Sequence, residues 1–260
     1  MIFDWNASKY ASISDLQAEM GQMLIDNIQL QQYYKILDIG CGVGNLTIEL
    51  ASRCHQGFVL GIDASSSMIG QAKTQAVDTS NIEFRMLDAE HIQFQQEFDV
   101  VFSNSALHWI TKSEKILLAI RKALKPGGCI GLQFPLLNDY HPLIYYTGKA
   151  IKSLGLEGYY HDWKFPWFVT TAKDYKKLLQ SFGYQNVAVK EMQNTFKFGM
   201  ALQVYNFFES VGLGLYLNPL GTEQKQRFKQ KLLQVIEQAN NDKGILLHFE
   251  RLLAFGSVAQ

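Results

Sequence analysis

The chain has 260 residues, 47% of them hydrophobic and 13% aromatic, with 24 basic and 24 acidic side chains. That length suits one large α/β domain with an elaboration, or two small domains, and the apolar content excludes a disordered chain. Balanced charge leaves no basic footprint for nucleic acid, and Cys41, Cys54 and Cys129 lack the spacing of a disulfide framework or a zinc site.

At the start, "MIFDWNASKY" has no basic region followed by an apolar block, and no window approaches about 18 consecutive apolar residues. The expectation is a cytoplasmic protein with no leader and no membrane span. "DLQAEMGQMLIDNI" has helical spacing, with Leu16, Met20, Met23, Leu24 and Ile28 on one stripe. "KILDI" reads as a strand, "NLTIELASRC" as a helix, "GFVLGID" as a strand and "SSSMIGQAKTQA" as a helix with serine caps. "IEFRMLD" and "FDVVFSN" follow as strands, the second nearly all apolar, as in a covered parallel sheet. "SEKILLAIRKALKPGG" reads as an amphipathic helix ended by Pro-Gly-Gly, before the strand "CIGLQFP". Residues 138–168 are rich in aromatic side chains, and helix and strand signals resume from "TAKDYKKLLQSFGY" through "NVAVKEM" and a helical stretch from about Leu202. "GILLHFERLLAFGSVA" supplies the last strand or strand pair.

This alternation predicts an α/β fold: a doubly wound, Rossmann-like, mostly parallel sheet with helices on both faces and a helical, aromatic cap. The expected division is a cofactor-covering segment over 1–30 and a binding core over 31–136. Residues 137–170 and 200–240 form the substrate cap, and 171–199 and 241–260 the remainder of the sheet.

"DIGCGVGN" carries the first functional signal. Gly40, Gly42 and Gly44 are spaced G-x-G-x-G, and Asn45 stands where a dinucleotide site would have its third glycine. Asp38, two residues before the first glycine, would repel a pyrophosphate and suits a ligand end carrying an ammonium group. That argues against NAD. Asp63, Asp88 and Asn104 close the next strands, at the carboxyl edge where open α/β sheets bind ligands. A carboxylate such as Asp63 can accept both hydroxyls of a ribose, and Asp88 could meet an adenine amino group. Each acid has an ordinary alternative as a helix cap.

In combination, "LDIGCGVG", "GIDASSSMI", "MLDAEHI", "FDVVFSNSALHWI" and "LKPGG" resemble, in order, the motifs of class I S-adenosylmethionine-dependent methyltransferases. The resemblance implies S-adenosyl-L-methionine as cofactor. By it Asp38, Gly40 and Gly42 hold the methionine end, Asp63 and Ala64 the ribose turn, and Met68 and Ile69 the adenine faces. Asp88 and Ala89 would read the adenine edge, with Asn104 and Ala106 at the active-site strand. Met68 could equally be core packing.

"FDWNASKYASISDLQAEMGQMLI" and "SNSALHWI" further resemble the trans-aconitate methyltransferase and malonyl-acyl-carrier-protein methyltransferase group. That likeness makes Tyr10 and Gln17 cofactor-covering candidates and Trp5 an acceptor candidate, beside the plain alternative of helix contacts. It implies methyl transfer to a carboxylate oxygen of a small-molecule acceptor, free or bound to a carrier protein. A carboxylate is already anionic and needs alignment and water exclusion rather than a strong base. Trp109, Trp163, Phe165 and Trp167 suit an aromatic acceptor pocket, or the core of the cap. His108, just past the active-site strand, could act as base, donate a hydrogen bond to the acceptor, or simply pack. The group's malonyl enzymes hold a distal carboxylate with arginine; the sequence picks out no match, since Arg227 and Arg251 stand in the right half of the chain as many solvated arginines do. No His/Asp/Glu cluster suggests a metal. Carbon or nitrogen acceptors, and a catalytically silent cofactor-binding protein, are the competing readings.

Overall fold

The computed structural model describes residues 14–136, 141–164, 166–168 and 170–260, with residues 14–19 as backbone only. Seven strands form one sheet in the order β3-β2-β1-β4-β5-β7-β6. They are β1 (Lys35–Ile39), β2 (Phe58–Asp63), β3 (Ile82–Met86), β4 (Phe98–Asn104), β5 (Leu124–Pro135), β6 (Gln185–Phe198) and β7 (Ile245–Ser257). The first five pair in parallel, and β7 runs antiparallel to β5. The expected doubly wound α/β architecture is therefore present, and the C-terminal stretch supplies one strand rather than a pair.

The apolar runs of β1, β2 and β4 follow from being covered on both faces: Ile36, Leu37, Val59, Ile62, Val100, Val101 and Phe102 are all fully or nearly fully buried. On one face, Leu24 and Ile25 of α1 (Ser14–Asp26), Ile28 beyond it, and Leu50 and Ala51 of α2 (Asn45–Arg53) pack on Ile36, Val59, Val100 and Phe102. Cys129 of β5 and Phe255 of β7 join the same cluster. Side chains alternate across a strand, so two or four residues further toward the carboxyl edge the same face presents Asp38, Asn104, Gln133 and, on β7, Arg251. The register agrees, pairing Asn104 with Gln133 and Arg251 with Pro135.

The helix α4 (Ser113–Ala123) ends earlier than the Pro-Gly-Gly signal implies. Leu124 is buried and already pairs with Phe98, and the next paired residues are Val100 and Cys129, so Lys125–Gly128 form an irregularity inside β5. Proline, which lacks a backbone donor, is tolerated at such a bulge.

The chain divides into two compact units. The first holds residues 1–135, 167–192 and 251–260, including α3 (Ser66–Gln75) and α6 (Ala172–Ser181). The second holds 136–166 and 193–250, where α5 (Pro142–Leu154) and α7 (Ala201–Val211) both pack on α9 (Thr222–Glu237), and the short α8 (Leu213–Leu217) follows α7. Phe249 anchors its core against Phe196 and Phe207, at ring separations of 5.7 and 5.3 Å. No helix among the described residues is long and apolar enough to cross a membrane.

β5 passes closely under the end of α1. A Cβ on Gly131 would lie 2.3 Å from Ile28 Cδ1 and 3.0 Å from its Cγ1. Gly131→Val is therefore expected to destabilise the fold by about 1–3 kcal/mol through overpacking, despite valine's preference for strands. Urea denaturation monitored by tryptophan fluorescence checks this.

Candidate active site

The site begins at the end of β1. Asp38 is 2% exposed, and Thr47 Oγ1, from the first turn of α2, donates to its Oδ2 at 2.7 Å. Burial pushes the Asp38 carboxyl up to about 7; the Thr47 bond opposes this and the nearby Asp63 adds to it. Among the described residues no cation pairs with Asp38. The backbone beyond it turns sharply: the N–H groups of Gly40 and Cys41 both donate to Ile62 O, at 2.8 and 3.0 Å, tying the turn to β2. Gly40 is constrained twice, by a φ of +73° and by Ala106, whose Cβ would stand 2.1 Å from any Cβ placed there. The glycine turn thus lies directly on the segment that follows β4.

Asp63, at the end of β2, is fastened from both sides. Gly42 N–H donates to Oδ2 at 3.0 Å and Ser65 N–H to Oδ1 at 2.8 Å. Burial raises its carboxyl, and these backbone bonds oppose the rise. Beyond it Ala64 is exposed, Ser65 caps α3, and Met68 is buried on that helix. Asp88 does serve as a cap: its Oδ1 accepts from Glu90 N–H at 2.9 Å and opens a single 3₁₀ turn containing Ala89. The cap occupies one oxygen direction and leaves the half-exposed carboxylate further acceptor capacity.

Asn104, 8% exposed, closes β4. Ser105 follows with φ +59°, a left-handed conformation uncommon for serine, and its N–H donates to Gln133 O at 2.8 Å. Its hydroxyl accepts a hydrogen bond from Arg251 Nη2. Arg251 is 6% exposed, whereas Arg227 lies exposed on α9. A 3₁₀ turn, Leu107–Trp109, then buries His108, whose carbonyl accepts from Phe168 N–H at 2.7 Å. The His108 ring meets Trp167 edge-on at 4.4 Å and Trp109 at 5.3 Å, and the two tryptophans are 5.0 Å apart.

The structure therefore brings Asp38, Gly40, Gly42, Asp63, Ala64, Met68, Asp88, Ala89, Asn104, Ala106, His108 and Trp109 to the carboxyl edge of one sheet. Trp163 belongs to the second unit, where its ring meets Tyr216 at 4.7 Å and Tyr160 at 5.6 Å. Trp5, Tyr10 and Phe165 lie outside the described residues, as does the side chain of Gln17. Thr47, Ser105 and Gln133 were not singled out from sequence. Only Thr47 had a local signal, its place in the first turn of the helix after the glycines. Among the described residues no group of three His, Cys, Asp or Glu is arranged to hold a metal.

A methyltransferase-domain family matches residues 36–128. The chain is 30% identical over 185 residues to an uncharacterised methyltransferase of Schizosaccharomyces pombe, covering 69% of this chain and 70% of that one. It is also 30% identical over 151 residues to a trans-aconitate 2-methyltransferase of Deinococcus radiodurans, covering 57% of each. The match thus spans little more than half the length of that relative. Among solved structures, phosphoethanolamine N-methyltransferase 2 of Haemonchus contortus in complex with S-adenosyl-L-methionine is similar, with TM-score 0.59 and 17% identity over 93% of this chain and 53% of that chain.

The chain belongs to the methyltransferase family, in the class I fold. The cofactor that the class I fold implies is S-adenosylmethionine, as in the H. contortus complex. The residues at the sheet edge fit that cofactor. A cationic ligand end supplies the counter-charge that Asp38 lacks among the described residues. Asp63, oriented by two N–H groups, retains lone pairs for vicinal hydroxyls. The glycine turn leaves main chain accessible where a Cβ would obstruct it.

The raised Asp38 carboxyl has a consequence for the cofactor-free protein. Between about pH 4 and 7 the folded chain holds a proton there that the unfolded chain has released, so this group's contribution to stability falls as pH rises through that window. Asp38→Asn removes that dependence. Relative to the wild type, the variant is expected to gain about 1–3 kcal/mol between pH 4 and 7, read from urea denaturation at both pH values.

Proposed function

We propose that this enzyme methylates a carboxylate oxygen of a small-molecule acid, and that Arg251 holds that carboxylate. The observation that carries this is a guanidinium buried at the sheet's carboxyl edge, one arm held by Ser105, on the same face as Asp38 and Asn104. Guanidinium groups suit bidentate recognition of carboxylates. The name of the D. radiodurans relative supports the same reaction class.

S-adenosylmethionine supplies a methyl group activated on a sulfonium. In this reading Asp38, Gly40 and Gly42 hold its methionine end, Asp63 and Ala64 its ribose, and Met68, Asp88 and Ala89 its adenine. Asn104 and Ala106 flank the reacting centre, and Tyr10 and Gln17 in the segment 1–30 cover the cofactor. The acceptor oxygen is already anionic, so no side chain has to remove a proton. His108 then orients the acceptor by hydrogen bonding, held in place by Trp109 and Trp167, whose rings also exclude water from the nucleophile. Trp5, Trp163 and Phe165 are assigned to acceptor contact, with segments 137–170 and 200–240 as the part that selects the acceptor.

The test is methyl transfer from labelled cofactor to a panel of carboxylic acids, acyl-carrier-protein thioesters, phenols and amines. Base-labile label on a carboxylic acid is expected. Label that is stable to base, on oxygen, nitrogen or carbon of another acceptor, would overturn the ester assignment. Arg251→Gln and Arg251→Lys should each lower kcat/KM for the acid about 10–100-fold while leaving cofactor affinity within about twofold.

Cofactor binding provides a separate check on Asp38. Asp38→Asn should weaken S-adenosylmethionine about 10–100-fold, the loss of a charge-assisted contact. In the wild type, binding below pH 7 should release a proton as Asp38 ionises against the ligand's positive charge. Calorimetry in buffers of different ionisation enthalpy reads that proton. Equal release from both proteins would place the titrating group elsewhere.

A further inference from the structure

Among the described residues, Gln133 is a buried polar group at this edge whose side chain the fold does not use. It is 1% exposed, and among the described residues neither Oε1 nor Nε2 has a hydrogen-bond partner. Its main chain is well held, since its carbonyl accepts from Ser105 N–H at 2.8 Å. Strand alternation places its side chain on the face that carries Asn104 and Arg251. A leucine here would satisfy the sheet equally well, whereas an unpaired buried amide is unfavourable to folding. Such a group is explained if a ligand supplies its partner.

The sheet order indicates which ligand. Asp63, Asp38 and Asn104 lie at the carboxyl ends of β2, β1 and β4, Asp88 follows β3, and the reading above assigns these residues to the cofactor. Gln133 is on β5, between Asn104 and β7, on the side away from the acids. Arg251 lies two residues from Leu253, the cross-strand partner of Gln133. Such a diagonal separates Cα atoms by about 7–8 Å, so one small molecule can reach both side chains.

We propose that Gln133 is a specificity-determining residue of the acceptor site, its amide hydrogen-bonding a second polar group that the acceptor carries a few carbon atoms from the carboxylate held by Arg251. The acceptor class is then a short acid bearing a further hydroxyl, carboxyl or carboxamide, in contrast to a plain alkanoic acid. A carboxylate would accept from Nε2 alone, whereas a hydroxyl or carboxamide can accept from Nε2 or donate to Oε1. The identity of the first group rests on the carboxylate reading above, whereas the demand for a second polar group does not.

The experiment compares matched probes that differ only in the distal group: pentanoate with glutarate, hexanoate with 6-hydroxyhexanoate, and phenethylamine with tyramine. Dissociation constants are measured on S-adenosylhomocysteine-loaded protein, so the result does not depend on turnover. Gln133→Met keeps the length and flexibility of the side chain, and Gln133→Leu is the second variant should the first fold poorly. The wild type is expected to favour the polar-tailed member of a pair, and either variant to cut that preference about 10–100-fold. Preference and loss confined to the amine pair would retain Gln133 and overturn the carboxylate reading. An unchanged ratio, or no discrimination by the wild type in any pair, would overturn the role of Gln133. A fall in S-adenosylhomocysteine affinity at constant ratio would do the same by moving Gln133 to the cofactor.

Discussion

A carboxylate buried in the middle of a sheet is hard to sustain, and the local structure around Asp38 is arranged about it. Its strand is flanked by β2 and β4, so the group has sheet on both sides and water on neither. The protein meets the charge with one hydroxyl, from Thr47, and with no cation among the described residues. The carboxyl accordingly rises to about 7, chiefly because burial disfavours its charged form. The glycine turn begins two residues later because main chain must leave the sheet there without placing a Cβ against the ligand or against Ala106.

From that point the edge organises outward in both directions. Toward β2, Asp63 is locked by the N–H groups of Gly42 and Ser65, so the loops after β1 and β2 share one carboxylate and cannot shift independently. Toward β4, Ser105 adopts a left-handed backbone, which for a non-glycine residue costs roughly 1 kcal/mol and persists where the surroundings impose it. Its surroundings are visible: Gln133 O takes its N–H, and Arg251 bonds its hydroxyl. The strained residue therefore joins three strands at the place where the reacting groups are proposed to meet.

How much of this was readable in advance depended on distance along the chain. Asp38, Gly40, Gly42 and Asp63 were legible because strand, turn and acid sit within a few residues of one another, and parallel topology does the rest. The alternation of elements gave the doubly wound sheet for the same reason. The start of β5 at Leu124 was not legible, since Lys-Pro-Gly-Gly is a strong helix stop and only cross-strand pairing with Phe98 shows that the sheet has already begun. Arg251 could not be told from Arg227 because its burial arises from an antiparallel strand pairing with β5 more than a hundred residues upstream. Gln133 gave no signal at all. A glutamine in a strand is unremarkable until its register neighbours and its missing partners are known.

The charges along the edge have a definite order. Acids stand just beyond β3 and on β2 and β1, amides on β4 and β5, and a cation on β7. Neighbouring strands are about 4.8 Å apart and the register sets Arg251 further along the face than Asp38, so the two are more than about 14 Å apart. That distance is too great for an ion pair. In the proposed reading a cofactor with a net positive charge meets the acidic side and an anionic acceptor the basic side, with the neutral amides between them. An acceptor that carried the opposite charge would be drawn to Asp38 and compete with the cofactor for its place. In the proposed reading, this order favours an anionic acceptor over an amine, and the amides of Asn104 and Gln133 stand between the charged groups, beside the atoms that react.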